Sequence, residues 1–418
     1  MKSNINQTVR DSLCLGCGVC QDICPKHCIQ IQKGRMNIPN VDEDSCIECG
    51  LCRKVCSGLG IDINNRAIQL ISDGSAKNNV FLGRYLNCYK GYSTEKEIRY
   101  HSAAGGCLSQ FLVWLLEKGE IDGAVVTKFR SDSPMTPETF IASSKEEILS
   151  GKSSKYCVVS MEGILTEIKK KPGRYVVVGL PCHIHAMRKC MDVDKTIRER
   201  IVGCFAIYCS SNKTMDSQRY LVYRYGVDKT KLKNFAYRDN GCLGSMYFRD
   251  GNGQNIVEPI YYLDYYLGMR AFFSVPRCGL CNDFFGELAD VAFGDLNTGK
   301  KDDDPIGINT LIARTKRWDD MLKKCVEDGA LHLETIDDET MVKAQGYCKA
   351  GKKGPGFYAN MKVRKLLGKK VPEYDNLLDL KPGIKDYAKV FASSVQRFIG
   401  KYEVLWPIIK KLDRNKMN

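Results

Sequence analysis

The chain has 418 residues, with 63 Lys and Arg against 49 Asp and Glu, which gives a formal net charge of +14. A hydrophobic fraction of 44% and a charged fraction of 27% are typical of an ordered globular protein and exclude extensive disorder. No stretch approaches the roughly 18 uncharged apolar residues of a membrane span, and the polar start MKSNINQTVR lacks the apolar core of a secretory signal. We therefore expect a cytoplasmic protein without a transmembrane segment.

Cysteine is abundant and unevenly distributed. Nine of the 21 cysteines lie in the first 56 residues. In a reducing compartment thiols stay reduced, so cysteines in such numbers indicate metal ligation rather than disulfides. We predict a small cofactor domain over residues 1–66, a larger domain over residues 80–330 and a mostly helical region over residues 331–418.

The cofactor domain contains a C-x2-C-x2-C-x3-C run twice, at residues 14–24 and 46–56. Three thiolates on one tight loop bind three irons of a cubane, while the fourth cysteine, a helical turn further on, points to the other cubane. The sequence thus predicts a bacterial-ferredoxin-like domain with two 4Fe-4S clusters. One cluster takes Cys14, Cys17, Cys20 and Cys56, and the other takes Cys24, Cys46, Cys49 and Cys52.

Two details of these runs leave room for other interpretations. Zinc also binds C-x2-C pairs, but a zinc ion takes four ligands and does not need two tandem runs with exchanged fourth ligands, so we favour iron–sulfur clusters. Cys28 is an extra cysteine beyond the first run, which we interpret as a small buried apolar residue rather than a ligand.

The larger domain alternates helical patterns with apolar strand patterns. Residues 105–118 carry apolar side chains at the spacing of one helix face, and Gly119 ends that helix. The continuous apolar character of strands that are buried on both faces occurs at residues 121–127, 174–180 and 201–208. Helical patterns separate these runs at residues 160–170, 183–190 and 212–225. The alternation predicts an α/β fold for this domain, beside an α+β ferredoxin-like domain.

Cysteines also follow the predicted strands of the larger domain. Cys182 and Cys209 come just after two of the apolar runs, and Cys278 and Cys281 form a C-x2-C pair. Because cofactors gather at the carboxyl ends of strands in open α/β sheets, these four cysteines are candidates for a third cluster. Spacing alone leaves open that they are buried free cysteines.

Seven segments resemble, in order, those of the coenzyme F420 hydrogenase/dehydrogenase beta-subunit family. They are LGRYLNCYKGY at 82–92, RYHSAAGG at 99–106, IDGAVV at 121–126, GKSSKY at 151–156, VGLPCHIHA at 178–186, ADVAFGD at 289–295 and GINTLIART at 307–315. The resemblance implies a flavin domain that binds FAD and iron–sulfur clusters. It also implies electron transfer between a two-electron carrier and one-electron centres.

Carried over position by position, the family's motifs imply further site residues. They place a third 4Fe-4S cluster on Cys182, Cys209, Cys278 and Cys281. The glycine turn of the family falls on Ser102, Gly105 and Gly106, where free amides at a helix N-terminus suit the FAD pyrophosphate. Lys155 and Tyr156 would supply a charge and a stacking surface, and Asn309 and Thr310 would hydrogen-bond the flavin ring. A solvated lysine, an ordinary turn and a capped strand are the alternatives for these residues.

Histidines flank the same motifs. His183, next to Cys182, is a candidate proton relay, and with Lys155 it is our candidate for catalysis. A neutral packed imidazole is the alternative role for His183.

These features predict a flavin and iron–sulfur oxidoreductase, linked to coenzyme F420 or to ferredoxin. The alternatives are a ferredoxin-dependent reductase of a small organic substrate and an electron-transfer beta subunit that docks on a hydrogenase or dehydrogenase. The expected partner is thus a redox protein, and the positive charge lacks an aromatic–basic motif for nucleic acid. The basic amphipathic C-terminus suits either peripheral membrane contact or a helix packed on its own domain.

Overall fold

The computed structural model describes residues 4–296, 304–346 and 352–414. Its N-terminal part is a ferredoxin-like module in which each cysteine run forms a loop followed by a short helix. A glycine makes the turn into each helix, Gly18 at φ +77° and Gly50 at φ +74°, because glycine alone adopts such angles without strain. The elements of the module are α1 (Asn6–Arg10), α2 (Val19–Asp22), β1 (Ile29–Gln32), β2 (Ile38–Val41), α3 (Leu51–Lys54), β3 (Gly60–Ile61) and α4 (Ile63–Leu70).

The rest of the chain is built around one large sheet with helices on both sides. The strands of this part of the chain are β4 (Lys77–Asn79), β5 (Gly83–Tyr85), β6 (Asn87–Ser93), β7 (Gly123–Phe129), β8 (Pro137–Ala142), β9 (Tyr175–Gly179), β10 (Ile201–Ile207), β11 (Asn234–Asp239), β12 (Ser245–Arg249), β13 (Ile260–Tyr261), β14 (Val291–Asp295), β15 (Asn309–Ala313), β16 (Leu331–Ile336) and β17 (Glu373–Tyr374). Its helices are α5 (Lys96–Tyr100), α6 (Cys107–Glu117), α7 (Lys145–Ser150), α8 (Ile164–Lys170), α9 (Pro181–Val193), α10 (Lys195–Arg200), α11 (Asp216–Tyr225), α12 (Tyr262–Met269), α13 (Lys316–Glu327), α14 (Asp338–Ala344), α15 (Pro355–Leu366), α16 (Ile384–Lys401) and α17 (Trp406–Arg414).

The large sheet has eight strands in the spatial order β16–β6–β15–β14–β10–β9–β7–β8. Strands β7, β9, β10 and β14 are parallel, and β8, β15 and β16 run antiparallel to their neighbours. Successive residues of β9 alternate between two cores, with Val177 in one and Val176 and Val178 in the other. Both faces of the sheet are therefore buried, and the predicted mixed α/β class is confirmed.

The carboxyl ends of the parallel strands meet at one edge of this sheet. The chain leaves β9 at Gly179 to enter α9, and it leaves β10 at Ile207 to reach Cys209. Strand β15 begins at Asn309, directly opposite Asp295 at the end of β14. This edge positions the candidate site.

A small sheet of β11, β12 and β13 packs with α11, α12 and α17 beside that edge. Its core is largely aromatic and includes Tyr237, Phe248 and Tyr265, together with Trp406 from α17. The subdomain therefore brings tyrosines from several distant segments next to the end of β14.

The C-terminal region is integrated into both halves of the structure. Strand β16 pairs with β6, so the central sheet extends past residue 330. Strand β17 pairs with β3 of the N-terminal module. Helix α17 buries Trp406, which favours packing on its own domain, whereas α16 leaves Phe391 and Phe398 exposed. In residues 4–296, 304–346 and 352–414, no helix has the length and apolar character needed to cross a membrane.

Candidate redox centre

Two small cavities of the N-terminal module are lined by cysteines. One is bordered by Cys14, Cys17, Cys20 and Cys56. The other is bordered by Cys24, Cys46, Cys49 and Cys52, and also by Cys28. Each set of four is the one that the spacing assigned to a single cluster. The thiols surround a volume rather than one point, as the ligands of a four-iron cubane do.

The surroundings of the first cavity fit thiolates that are bound to iron. Burial raises the pKa of Cys14 to about 12 and that of Cys17 to about 11, because a thiolate loses its hydration there. The N–H of Gly16 donates to Sγ of Cys14 at 3.4 Å. Thiolates at these positions therefore need positive charge beside them, which the irons of a cluster supply.

The second cavity lies at the surface. Cys49 is exposed, in contrast to the other cysteines of its set. The extra Cys28 is buried, with its Sγ 3.4 Å from that of Cys24. A cluster held here would be accessible to a redox partner through the Cys49 loop.

A third set of cysteines gathers at the carboxyl edge of the central sheet. Cys182 lies in the first turn of α9, and Cys209 follows β10. Cys278 lies in a 3-10 turn, Pro276–Leu280, that Cys281 directly follows. The thiol of Cys182 interacts electrostatically with the other three, and burial raises its pKa well above the usual value. The structure thus brings together the four cysteines that the resemblance implied.

The three sets adjoin one another. Cys182 of the third set interacts with Cys17 of the first, and Cys20 of the first interacts with Cys52 of the second. Electrons passing between clusters at these sites would move from one neighbour to the next. The order of neighbours is the second cavity, the first cavity and the sheet edge.

A buried arginine and a half-buried lysine of the larger domain hold the loop after Cys56. Arg277, beside Cys278, donates from Nε to the carbonyl of Gly58 at 2.7 Å and from Nη1 to that of Leu280 at 2.6 Å. Lys189 of α9 donates to the carbonyls of Cys56 at 3.0 Å and Gly60 at 2.6 Å. These bonds fix the N-terminal module against the third set of cysteines.

The glycine turn at residues 105–106 is closely packed. Gly106 has φ +75° and caps α6, whose first amide, that of Cys107, donates to Oδ1 of Asn309 at 2.9 Å. A Cβ on Gly105 would lie 2.7 Å from the carbonyl of Gly91. The hydroxyl of Ser102 donates to the carbonyl of Ile98 at 2.6 Å.

Asn309 and Thr310 both have partners within the protein. Nδ2 of Asn309 donates to the carbonyl of Gly294 at 3.1 Å, so both ends of its amide are occupied. Thr310 is buried, and its hydroxyl donates to the carbonyl of Asp295 at 3.4 Å. A ligand that bonded either side chain would have to replace these contacts.

Lys155 folds back onto its own loop. Its Nζ donates to the carbonyls of Gly151 at 2.7 Å, Lys152 at 2.6 Å and Ser153 at 3.2 Å. Burial lowers the pKa of Lys155 to about 7, since the charged form loses hydration. The side chain is therefore able to hold or release a proton near neutral pH.

Tyr156 belongs to a group of tyrosines that sequence reasoning missed. Its ring centre lies 4.8 Å from that of Tyr266, 5.2 Å from Tyr237 and 6.0 Å from Tyr262. Tyr262 and Tyr266, one helical turn apart on α12, stack at 5.0 Å. Two tyrosine pairs four residues apart, 261–262 and 265–266, were the signal available in the sequence.

Arg238 is a second residue that the sequence did not indicate. Nη1 of Arg238 donates to Oδ2 of Asp295 at 2.6 Å, and its guanidinium lies 4.7 Å from the ring centre of Tyr262. Nη2 is buried and lacks a hydrogen-bond partner among the residues that the structure describes. A buried donor without an acceptor is costly, so this position suits an anionic or carbonyl-bearing ligand.

His183 is buried in the first turn of α9. Burial lowers its pKa to about 4, so the imidazole is neutral at physiological pH. Its Nδ1 accepts a long bond of 3.4 Å from the N–H of Leu180. Its other hydrogen bond is with the backbone of Val159, so both of these partners are backbone groups, as in the packed role, and a proton relay through His183 stays a prediction.

Family models match most of the chain's length. A model described as the beta subunit N-terminus of coenzyme F420 hydrogenase/dehydrogenase matches residues 88–166, and the corresponding C-terminal model matches residues 173–339. A 4Fe-4S dicluster domain model matches residues 13–57.

Curated relatives and a solved structure agree with these matches. The chain is 26% identical over 263 residues to the coenzyme F420 hydrogenase subunit beta of Methanosarcina barkeri, covering 62% of this chain and 84% of that protein. It is 24% identical over 363 residues to one of the subunits of the F(420)H(2) dehydrogenase of Methanosarcina mazei, covering 83% and 93%. It is 24% identical over 360 residues to the coenzyme F420-dependent sulfite reductase of Methanocaldococcus jannaschii, spanning 82% of this chain but about half, 51%, of that enzyme. A chain of the F420-reducing NiFe hydrogenase complex from Methanosarcina barkeri shares the fold, with a TM-score of 0.53, 22% identity and coverage of 71% and 98%.

Proposed function

The chain belongs to the coenzyme F420 hydrogenase/dehydrogenase beta-subunit family, and from this premise we propose that it is an iron–sulfur flavoprotein oxidoreductase. Electrons pass between a two-electron carrier and three 4Fe-4S clusters by way of FAD. The observation that carries this proposal is the arrangement of twelve cysteines in three adjoining sets of four, from the surface to the sheet edge.

The order of the three sets supports a relay between two ends of the molecule. The outer end is the set that contains the exposed Cys49, where a redox protein such as ferredoxin or a hydrogenase component would dock. The other end is the set that contains Cys182, at the edge where α/β proteins bind cofactors. The hydrogen bonds of Arg277 and Lys189 hold the two parts of the relay in a fixed arrangement.

A flavin at the sheet edge would convert two-electron to one-electron chemistry, which a deazaflavin or a nicotinamide does poorly. Residues near this edge can hold it. Tyr156 presents a ring for stacking, and Nη2 of Arg238 offers an unpaired donor. Lys155, with its pKa near 7, would donate or accept the proton that accompanies hydride transfer, and His183 would relay it.

The glycine turn is our candidate for holding the pyrophosphate of FAD, as the resemblance implies. The first amide of α6, that of Cys107, already donates to Asn309. The pyrophosphate of FAD would meet the remaining N-terminal amides of α6 and its dipole.

Coenzyme F420 is our first candidate for the two-electron carrier, because the names of several relatives include it. The second candidate is a ferredoxin-dependent reduction of a small organic substrate, which the fused N-terminal module favours as an electron entry port. In the third candidate the chain is an electron-transfer beta subunit that docks on a hydrogenase or dehydrogenase.

Cofactor content and donor specificity test the proposal together. Anaerobically purified protein should hold about twelve irons per chain, four for each cubane, and should release FAD on denaturation. Reduced F420, NADH, NADPH and reduced ferredoxin are then added in turn while the visible flavin absorption is followed. Bleaching by reduced ferredoxin alone would exclude F420 as the carrier, and zinc in place of iron would overturn the proposal.

A further inference from the structure

The second cavity of the N-terminal module is bordered by one cysteine more than a cubane needs. Its lining includes Cys28 in addition to Cys24, Cys46, Cys49 and Cys52. A four-iron cubane takes one thiolate on each iron, so four thiols complete a cluster and the fifth is surplus.

The turn after Cys24 brings the surplus thiol to this place. The N–H of His27 donates to the carbonyl of Cys24 at 3.1 Å, and His27 has a positive φ of +50°. The carbonyl of Cys28 accepts from the N–H of Asp42 at 2.8 Å, which fixes Cys28 at the start of β1. Cys24 and Cys28 therefore lie on the two sides of one turn and border the same cavity.

The sulfur atoms of these two cysteines are in contact. Sγ of Cys28 lies 3.4 Å from Sγ of Cys24, and both residues are 8% exposed. Two thiolates on one tetrahedral metal ion, each at about 2.3 Å from it, lie roughly 3.8 Å apart. Either sulfur is therefore close enough to reach the same iron. Only one of them can bind it at a time, because the sulfides of a cubane leave each iron one position for a thiolate.

The second cysteine run offers a comparison within the chain. Cys56 ends that run as Cys24 ends the first, and each is the cysteine that crosses to the cluster of the other loop. The residue four positions after Cys56 is Gly60, which pairs with Glu373 of β17. The same position in the second run thus has no thiol.

We propose that Cys28 is a reserve ligand of the cluster in the second cavity and takes the place of Cys24 on the same iron when that bond opens. In the exchange, the sulfur of Cys28 forms a bond to iron while the bond from iron to Cys24 breaks. The proton of the Cys28 thiol moves to Cys24 across the 3.4 Å contact, so the charge and the number of electrons of the site stay the same. This inference rests on the part of the proposed function that assigns a 4Fe-4S cluster to the second cavity.

The position of the reserve thiol in the relay gives it a role. The second cavity is the one with an exposed cysteine, Cys49, so solvent has access to a cluster held there. A cubane that loses one thiolate is open to solvent at one iron. With Cys28 in contact with Cys24, that iron keeps a thiolate although the bond to Cys24 has opened.

The iron content of the full chain, purified anaerobically, tests this inference. Cys24→Ala should hold as much iron as the wild type, because Cys28 replaces the missing ligand and alanine has no donor atom of its own. Cys24→Ala/Cys28→Ala should hold about four irons fewer, which is one cubane. A loss of four irons in Cys24→Ala alone would overturn the inference, as would full iron content in the double variant.

Cys56→Ala is the matched control, because Cys56 has the equivalent place in a run without a reserve thiol. We expect it to lose about four irons. Full retention in Cys56→Ala as well as in Cys24→Ala would mean that the crossing ligand is dispensable in both runs, which contradicts a special role of Cys28.

Cys49→Ala separates the inference from the proposed function. It should also lose about four irons, since Cys28 is in contact with Cys24 and replaces that ligand only. Unchanged iron in Cys49→Ala would contradict a four-thiolate cluster in the second cavity and the inference with it. A loss of four irons in both Cys49→Ala and Cys24→Ala would overturn the inference alone.

A second pair of variants decides if Cys24→Ala fails to fold and loses all of its iron. Serine keeps the size of cysteine, so Cys24→Ser is compared with Cys24→Ser/Cys28→Ala. Iron in these clusters prefers a thiolate to a hydroxyl, and the cluster of Cys24→Ser should therefore depend on Cys28. About four irons more in the single than in the double variant supports the reserve ligand, and equal iron contents refute it.

Discussion

Replacing Arg277 by Met is expected to loosen the segment that joins the N-terminal module to the third set of cysteines. The carbonyl of Gly58 would lose its donor, Nε of Arg277 at 2.7 Å, whereas the carbonyl of Leu280 keeps the hydroxyl of Tyr374 at 3.2 Å. One buried acceptor left unsatisfied costs about 1–3 kcal/mol. That cost corresponds to roughly a 5- to 150-fold change in the equilibrium for local opening.

Hydrogen–deuterium exchange of peptides that cover residues 56–62 measures this opening. We expect exchange there to be faster by a factor within that range. Arg364→Met is the matched control. Like Arg277, Arg364 donates to a backbone carbonyl of the N-terminal module, but its acceptor is Asp11 at 2.6 Å, outside residues 56–62. Unchanged exchange at residues 56–62 in Arg277→Met, or equally fast exchange in the control, would refute the reasoning.

Three further predictions concern the cofactors and the pH dependence. Cys281→Ser should lower the iron content from about twelve to about eight per chain, whereas Cys28→Ser should leave it unchanged; equal iron in both would make Cys281 a structural residue. The pKa of Lys155 is about 7 in the folded state and about 10.4 in the unfolded state. Between these two pH values the unfolded state binds more protons, so the free energy of unfolding rises with pH. In denaturant titrations Lys155→Met should lack this part of the rise, and parallel pH profiles would contradict it. Arg238→Gln should weaken FAD retention about tenfold or more, measured by flavin fluorescence after denaturation, and full occupancy would place the flavin elsewhere.

Local patterns made the elements around the site predictable. The run from Cys14 to Cys24 specifies its loop and helix within a few residues, because ligand spacing and the positive φ of Gly18 act locally. The predicted helix at 105–118 corresponds to Cys107–Glu117, and the strand at 174–180 to Tyr175–Gly179. The strand has a continuous apolar pattern because both faces of the central sheet are buried, and the helix has apolar residues at helical spacing because it packs on one of those faces.

Long-range contacts were beyond the reach of such patterns. Strand Glu373–Tyr374 has only two residues and pairs with Gly60–Ile61, far away in the chain. Arg238 meets Asp295 and Tyr262 only after three separate segments have folded together. Neither contact leaves a periodic signal in the sequence. The hydrogen bond that the amide of Cys107 donates to Asn309 is likewise visible only in the structure.

Flavin reduction through the relay tests the central claim most directly. Reduced ferredoxin is mixed anaerobically with wild type and with Cys281→Ser, both loaded with FAD, and flavin bleaching is followed by stopped-flow spectroscopy. The account predicts rapid bleaching in the wild type and strongly slowed bleaching in Cys281→Ser, although that variant keeps its FAD and about eight irons. Bleaching at the wild-type rate in Cys281→Ser would show that electrons reach the flavin without the third cluster, and would contradict the account.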